Sequence, residues 1–161
     1  APREKDENRL IEEWTMKLKV VRVYVHGACR GNPGLSAIGI LVCTVTDKVL
    51  KEHSEAIGEH TNHEAEYLAL IRSLEVASEY TKSKAQVFLN NLVEARQSTG
   101  EYKVKQARLL PLRDKVVRLA EEFEDVDLCI VPRDYRMLVS ANALANRALD
   151  CVHQGAEGGD K

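Results

Sequence analysis

The side chains able to do chemistry fall in four places. His26 and Cys29 sit within Val20 to Gly34, VVRVYVHGACRGNPG. Both can ligate a transition metal, but structural zinc needs four ligands and two are too few. The same stretch carries Gly27, Gly31, Asn32, Pro33 and Gly34, which stop a strand and bring backbone amides together. Such a turn can hold a phosphate or a metal, and Gly-Asn-Pro-Gly is equally an ordinary turn. Glu66 falls near the start of a helix, where the helix dipole by itself favours a carboxylate. Asn90 and Asn91 stand at a strand-to-helix turn, where asparagine is a common cap. Lys103, Lys105, Arg108, Arg113, Lys115 and Arg118 face only Glu101 and Asp114 in sequence. They could follow a nucleic-acid backbone or form a solvated helix face.

Composition narrows the classes. A chain of 161 residues, 44% hydrophobic and 30% charged, suits one globular domain with a real core. The net charge of −2 excludes a wholly basic nucleic-acid binder, so any such contact is a local patch. No apolar run reaches the roughly 20 residues of a membrane span, so no membrane partner is expected. Cys29, Cys43, Cys129 and Cys151 are scattered without a C-x-x-C, the pattern of a reduced intracellular protein. The first residue is Ala1 and no secretory apolar region follows, which leaves an organelle after presequence cleavage open.

The elements that position these residues follow from periodicity. Residues 1–19 are charge-rich, with Leu10, Ile11 and Trp14 at helical spacing, and read as an extension with a short helix. Residues 20–152 read as one domain, and residues 153–161 as a disordered Gly-rich tail. Val21, Val23 and Val25 alternate with Arg22, Tyr24 and His26 as a strand ending at the Gly-rich turn. Strands follow at Ala37–Val45 and Val49–Ile57, giving an antiparallel meander. Thr61-x-x-Glu64 has the form of a capping box and opens a helix. Ala65, Leu68, Ala69, Leu74 and Ala77 form its apolar face. A fourth strand at Ala85–Leu89 leads into a short helix at Leu92–Gln97 closed by Gly100. A long amphipathic helix from Leu109 to Phe123 has Pro111 in its first turn. A fifth strand at Asp127–Val131, a loop at Pro132–Ser140 and a last helix at Ala141–Cys151 complete the chain.

This order of elements resembles the ribonuclease H fold, and four stretches resemble ribonuclease H type 1 motifs in the same order. They are His26-Gly-Ala-Cys-Arg-Gly-Asn-Pro-Gly34, Thr61-Asn-His-Glu-Ala-Glu66, and Leu89-Asn-Asn-Leu-Val93 followed by Gly100-Glu-Tyr-Lys-Val-Lys105. The last is Val131-Pro-Arg133 followed by Ala141-Asn-Ala-Leu-Ala-Asn146. The resemblance implies an α/β fold: a mixed five-stranded sheet with helices on both faces. It also implies cleavage of the RNA strand of RNA–DNA hybrids by two Mg²⁺ ions held by Asp, Glu, Asp and Asp, one ion activating water and the other steadying the leaving oxygen.

At those four positions this chain has His26, Glu66, Asn90 and Asn142. Only Glu66 is a carboxylate. Imidazole suits transition metals better than Mg²⁺, and an asparagine amide is neutral. One negative charge does not offset the repulsion between two divalent ions. No metal and no cofactor are therefore expected, Mg²⁺ returning only if the domain is active. Asp-to-Asn is an exchange used to trap substrates, but Asp-to-His is not, which favours natural loss. The loop from Arg133 to Asn142 is about two residues longer than the family's common spacing. Gly31, Asn32, Thr61 and Asn62 match family positions that contact DNA phosphates or the hybrid's minor groove, and Lys103 and Lys105 fall in the basic stretch. The expectation is an inactive ribonuclease H-like domain that binds RNA/DNA hybrid or structured RNA. Its rivals are a protein-contact subunit of a larger ribonucleoprotein assembly, and an active hybrid ribonuclease whose carboxylates have been substituted.

Overall fold

A computed structural model of the chain describes residues 18–159, with side-chain surroundings through residue 152. The expected N-terminal helix around Trp14 lies outside the described residues. Five strands form one sheet in the order β3-β2-β1-β4-β5. They are β1 (Val20–Gly31), β2 (Gly34–Cys43), β3 (Val49–His60), β4 (Lys84–Leu89) and β5 (Asp125–Ile130). β1, β2 and β3 pair antiparallel, while β4 pairs parallel with both β1 and β5. The helices are α1 (Asn62–Ala77), α2 (Leu92–Ser98), α3 (Leu110–Ala120, led in by a 3-10 turn at Ala107–Leu109) and α4 (Arg136–Gly159). The expected mixed five-stranded sheet, with helices on both faces, is observed.

Strand alternation divides the core between the two faces. Val21, Val23 and Val25 point to one face, where they pack with Ile38, Ile40, Leu70, Leu74, Val87 and Val116. Tyr24 points to the other, against Leu41, Ala141 and Leu144 of β2 and α4. α1 starts where expected. Thr61 Oγ1 accepts from Glu64 N, and the Glu64 carboxylate accepts from Thr61 N, so two otherwise orphaned donors are satisfied.

Several boundaries differ from the periodicity reading. β1 does not stop at His26 but runs through Gly27 to Gly31, because the antiparallel ladder with β2 continues from Gly27↔Ile38 to Gly31↔Gly34. Gly27 is there for close approach: a Cβ on it would lie 2.7 Å from Ala65 O of α1. The last helix begins at Arg136, not Ala141. Leu138, Ala141, Ala145 and Leu149 are all buried, a helical repeat that extends the element by a turn. It also continues to Gly159, where a disordered tail from residue 153 was expected, since helix propagation costs little once the turns before it are docked. Finally, α3 ends at Ala120, and Phe123 enters the core from the turn beyond it.

Candidate functional site

β1 has an antiparallel neighbour on one side and a parallel neighbour on the other. The parallel pairing ends at Tyr24↔Phe88, and β4 itself ends at Leu89. A cleft opens there, at the carboxyl end of β4, where α/β sheets commonly take ligands. Gly27 lets the first turns of α1 lie on β1, which brings Glu66 to His26. Gly39 does the same on the other face. A Cβ there would stand 1.9 Å from Ala141 O, so α4 rests on β2 backbone and Asn142 reaches the cleft.

The four positions singled out by the motifs converge. An outer cleft of about 350 Å³ is lined by His26, Glu66, Asn142, Asn62 and Arg133. A niche of about 20 Å³, room for one water, continues inward between His26, Glu66, Asn90, Asn91, Glu94 and Arg133. Asn91 caps α2 through its oxygen, which accepts from Glu94 N at 2.9 Å, and its amide donates to Glu66 Oε2. Asn90 Nδ2 donates to Val131 O at 2.7 Å. Asn146 Nδ2 donates to Asn142 Oδ1 at 3.2 Å.

Burial controls the charges. Burial pushes the Glu66 carboxyl up from its ordinary value, and the Asn91 amide, His63 and Arg133 pull it partly back. Burial, and then the Arg133 guanidinium, push the His26 imidazole down, so it is neutral at neutral pH. Glu94 was not anticipated. It is 3% exposed, its Oε1 has no partner, and burial followed by the Glu66 charge raises its carboxyl well above the ordinary range. In sequence it is an acid in the first turn of a helix, and no local signal separates it from a dipole partner. Arg133 closes the Val131-Pro-Arg133 motif. It is exposed and has no hydrogen bond or ion pair among the described residues, while its charge reaches both His26 and Glu66.

Cys29 does not pair with His26. Its thiol donates to His60 O at 2.9 Å and lies 3.0 Å from Ser36 Oγ. Among the described residues no three His, Cys, Asp or Glu side chains are grouped to hold a metal ion. The donor set does not suit the family's pair of Mg²⁺ ions: two of its four members are neutral amides, and an amide N–H occupies one oxygen of the only carboxylate.

The residues matched to nucleic-acid contacts form two groups. Asn32 Oδ1 accepts from Asn62 N at 3.0 Å, which ties the β1–β2 turn to the start of α1 beside the outer cleft. Thr61 stands next to it, with Arg108 Nη2 3.5 Å from its hydroxyl. Gly31 holds a positive φ of 108° that suits glycine. Lys103 and Lys105 line a separate groove of about 570 Å³ with His63, Val93, Gln97 and Tyr102. His63 joins the groups, because it follows Asn62 in the first turn of α1 and faces this groove.

Comparison with known proteins places this arrangement. A family model described as reverse transcriptase-like matches residues 24–148. The bifunctional protein Rv2228c of Mycobacterium tuberculosis is 36% identical over 140 residues, 86% of this chain and 38% of that protein. Ribonuclease HI of Halobacterium salinarum is 34% identical over 130 residues, 81% of this chain and 64% of that protein. The chain therefore spans less than two thirds of either curated relative. The crystal structure of the Halobacterium salinarum enzyme superposes with a TM-score of 0.77, covering 81% of this chain and 98% of that one. LC11-RNase H1, crystallised with an RNA/DNA hybrid, superposes with a TM-score of 0.76 at 33% identity, covering 82% and 98%. No helix among the described residues is long and apolar enough to cross a membrane. With the family model matched over residues 24–148 and its motifs gathered at one cleft, the chain belongs to the ribonuclease H-like, reverse transcriptase-like family.

Proposed function

We propose that this domain binds RNA/DNA hybrid without cutting it. The observation that carries the reading is the donor set at the cleft: Glu66 is the one family carboxylate present, and the Asn91 amide is bonded to it. Glu94 does not make up the deficit, because burial favours its neutral form. The binding side has more support. LC11-RNase H1, a relative of the same fold, takes an RNA/DNA hybrid. Here Asn32, Thr61 and Asn62 stand together beside the cleft, and Lys103 and Lys105 line a groove on the other flank of the α1 start. Contacts of this kind read duplex shape and the 2′-OH rather than sequence.

The test is a paired binding and cleavage assay. RNA/DNA hybrid, duplex DNA and duplex RNA are titrated at low and moderate salt, and the hybrid is then incubated with Mg²⁺ or Mn²⁺. The expected result is preference for the hybrid, affinity falling steeply with salt, and no cleavage. Cleavage with either metal would make the domain an active nuclease. Equal and negligible binding of all three duplexes would leave a protein-contact role in a larger ribonucleoprotein assembly.

A further inference from the structure

Asn90, one of the two cleft asparagines that stand where the family has a carboxylate, has a structural partner of its own. Asn90 donates its amide to Val131 O, and Val131 N donates to Leu89 O at 2.9 Å. Two consecutive residues at the end of β4 thus hold Val131, the residue just past β5, by both its N–H and its C=O. A carboxylate at residue 90 could not make the first bond, because it has no proton to donate to a carbonyl. Two residues further on stands Arg133, and two beyond that Tyr135. The Tyr135 ring stacks on Tyr24 at 6.0 Å and on Phe88 at 6.2 Å, and Tyr24 is itself buried and bonded to Asp47. Tyr135 N also closes a turn onto Pro132 O at 3.0 Å. The turn bearing Arg133 is therefore pinned on both sides. Arg133 lines the outer cleft and the niche, its charge reaches His26 and Glu66, and it has no hydrogen bond or ion pair among the described residues.

We propose that the cleft is a metal-independent phosphodiester site in which Arg133 is the cation and Asn90 is the residue that positions it. This rests on the hybrid-binding reading and adds what meets the backbone at the old metal position. A planar guanidinium offers paired donors to two phosphate oxygens, and holding the turn that carries it reduces the backbone part of the ordering cost of that contact. The amide of Asn142 lies on the same wall, and the one family carboxylate there, Glu66, is opposed by burial, which favours its neutral form.

The experiment measures affinity for a labelled RNA/DNA hybrid in EDTA, across a salt series, for the wild type, Arg133→Ala, Asn90→Ala and the double variant. Melting temperatures are followed to confirm folding. Arg133→Ala should weaken binding by about tenfold and reduce the salt slope by about one. Asn90→Ala, which removes the bond to Val131 O without adding charge, should also weaken binding. The double variant should bind no more weakly than Arg133→Ala alone, because Asn90 acts through Arg133. If the wild type binds in EDTA and Arg133→Ala binds equally well, or the two losses add, the proposal is overturned and the hybrid-binding reading stands. Wild-type binding that requires Mg²⁺ also overturns the proposal. No wild-type binding at all removes the hybrid-binding reading, and the proposal with it.

Discussion

One side chain, Asn91, holds Glu66 and caps α2 at once: its amide donates to Glu66 Oε2 and its oxygen takes the N–H of Glu94. The cleft carboxylate and the start of α2 are therefore fixed by a single residue. Asn91→Ala should cost about 1–2 kcal/mol, one helix cap plus a hydrogen bond to a charged group. Asn91→Asp should keep the cap but oppose Glu66, and so raise the Glu66 pKa. Urea denaturation and carboxyl NMR would check the two outcomes.

Glu94 should make stability fall as pH rises. Its folded pKa is raised well above the ordinary value by burial and then by Glu66. The folded state therefore keeps a proton that the unfolded chain gives up above about pH 4.3. The associated stability is fully present below that value and is lost as pH rises toward the folded pKa. Glu94→Gln should flatten the profile. Glu94→Leu should stabilise the protein at pH 8 by about 1–3 kcal/mol, the cost of an unpartnered buried polar group. Denaturation midpoints between pH 5 and pH 8 would show whether the slope belongs to this residue.

Gly39→Ala should be among the most damaging single-methyl additions. Its Cβ would meet Ala141 O at 1.9 Å, backbone against backbone, and α4 would have to lift from β2. Gly27→Ala, with 2.7 Å to Ala65 O, should be milder. Overpacking of this kind costs about 1–3 kcal/mol and sometimes more. Melting temperatures that leave the Gly39 variant unchanged would contradict the close contact of α4 with the sheet.

Thr61→Ala should lose about 1 kcal/mol of stability through the capping box. If Thr61 also meets a phosphate or a 2′-OH, hybrid affinity should drop by about another 1 kcal/mol. Lys103→Ala with Lys105→Ala should leave stability within about 0.5 kcal/mol while lowering the salt slope by about two. Parallel thermal melts and salt titrations would separate the roles.

Local chemistry determined much of this protein. The Thr61–Glu64 box reads directly from sequence, because every group in it lies within four residues. The alternation of Val21, Val23 and Val25 identified β1, and the order of motifs brought His26, Glu66, Asn90 and Asn142 to one cleft before any contact was known. What only tertiary structure decided depends on residues far apart in the chain. Gly27 reads as a strand breaker, yet pairing with Ile38 keeps it in the strand and the Ala65 backbone explains its lack of a side chain. Glu94 looks like any acid at a helix start until the sheet and α1 close over it and leave Glu66 beside it. Arg133 looks like a loop cation until Asn90, forty-three residues earlier, and the Tyr24–Phe88 stack hold its turn against the cleft. Periodicity and capping are short-range effects and survive in the sequence, whereas desolvation and side-chain pairing between distant strands exist only once the chain has folded.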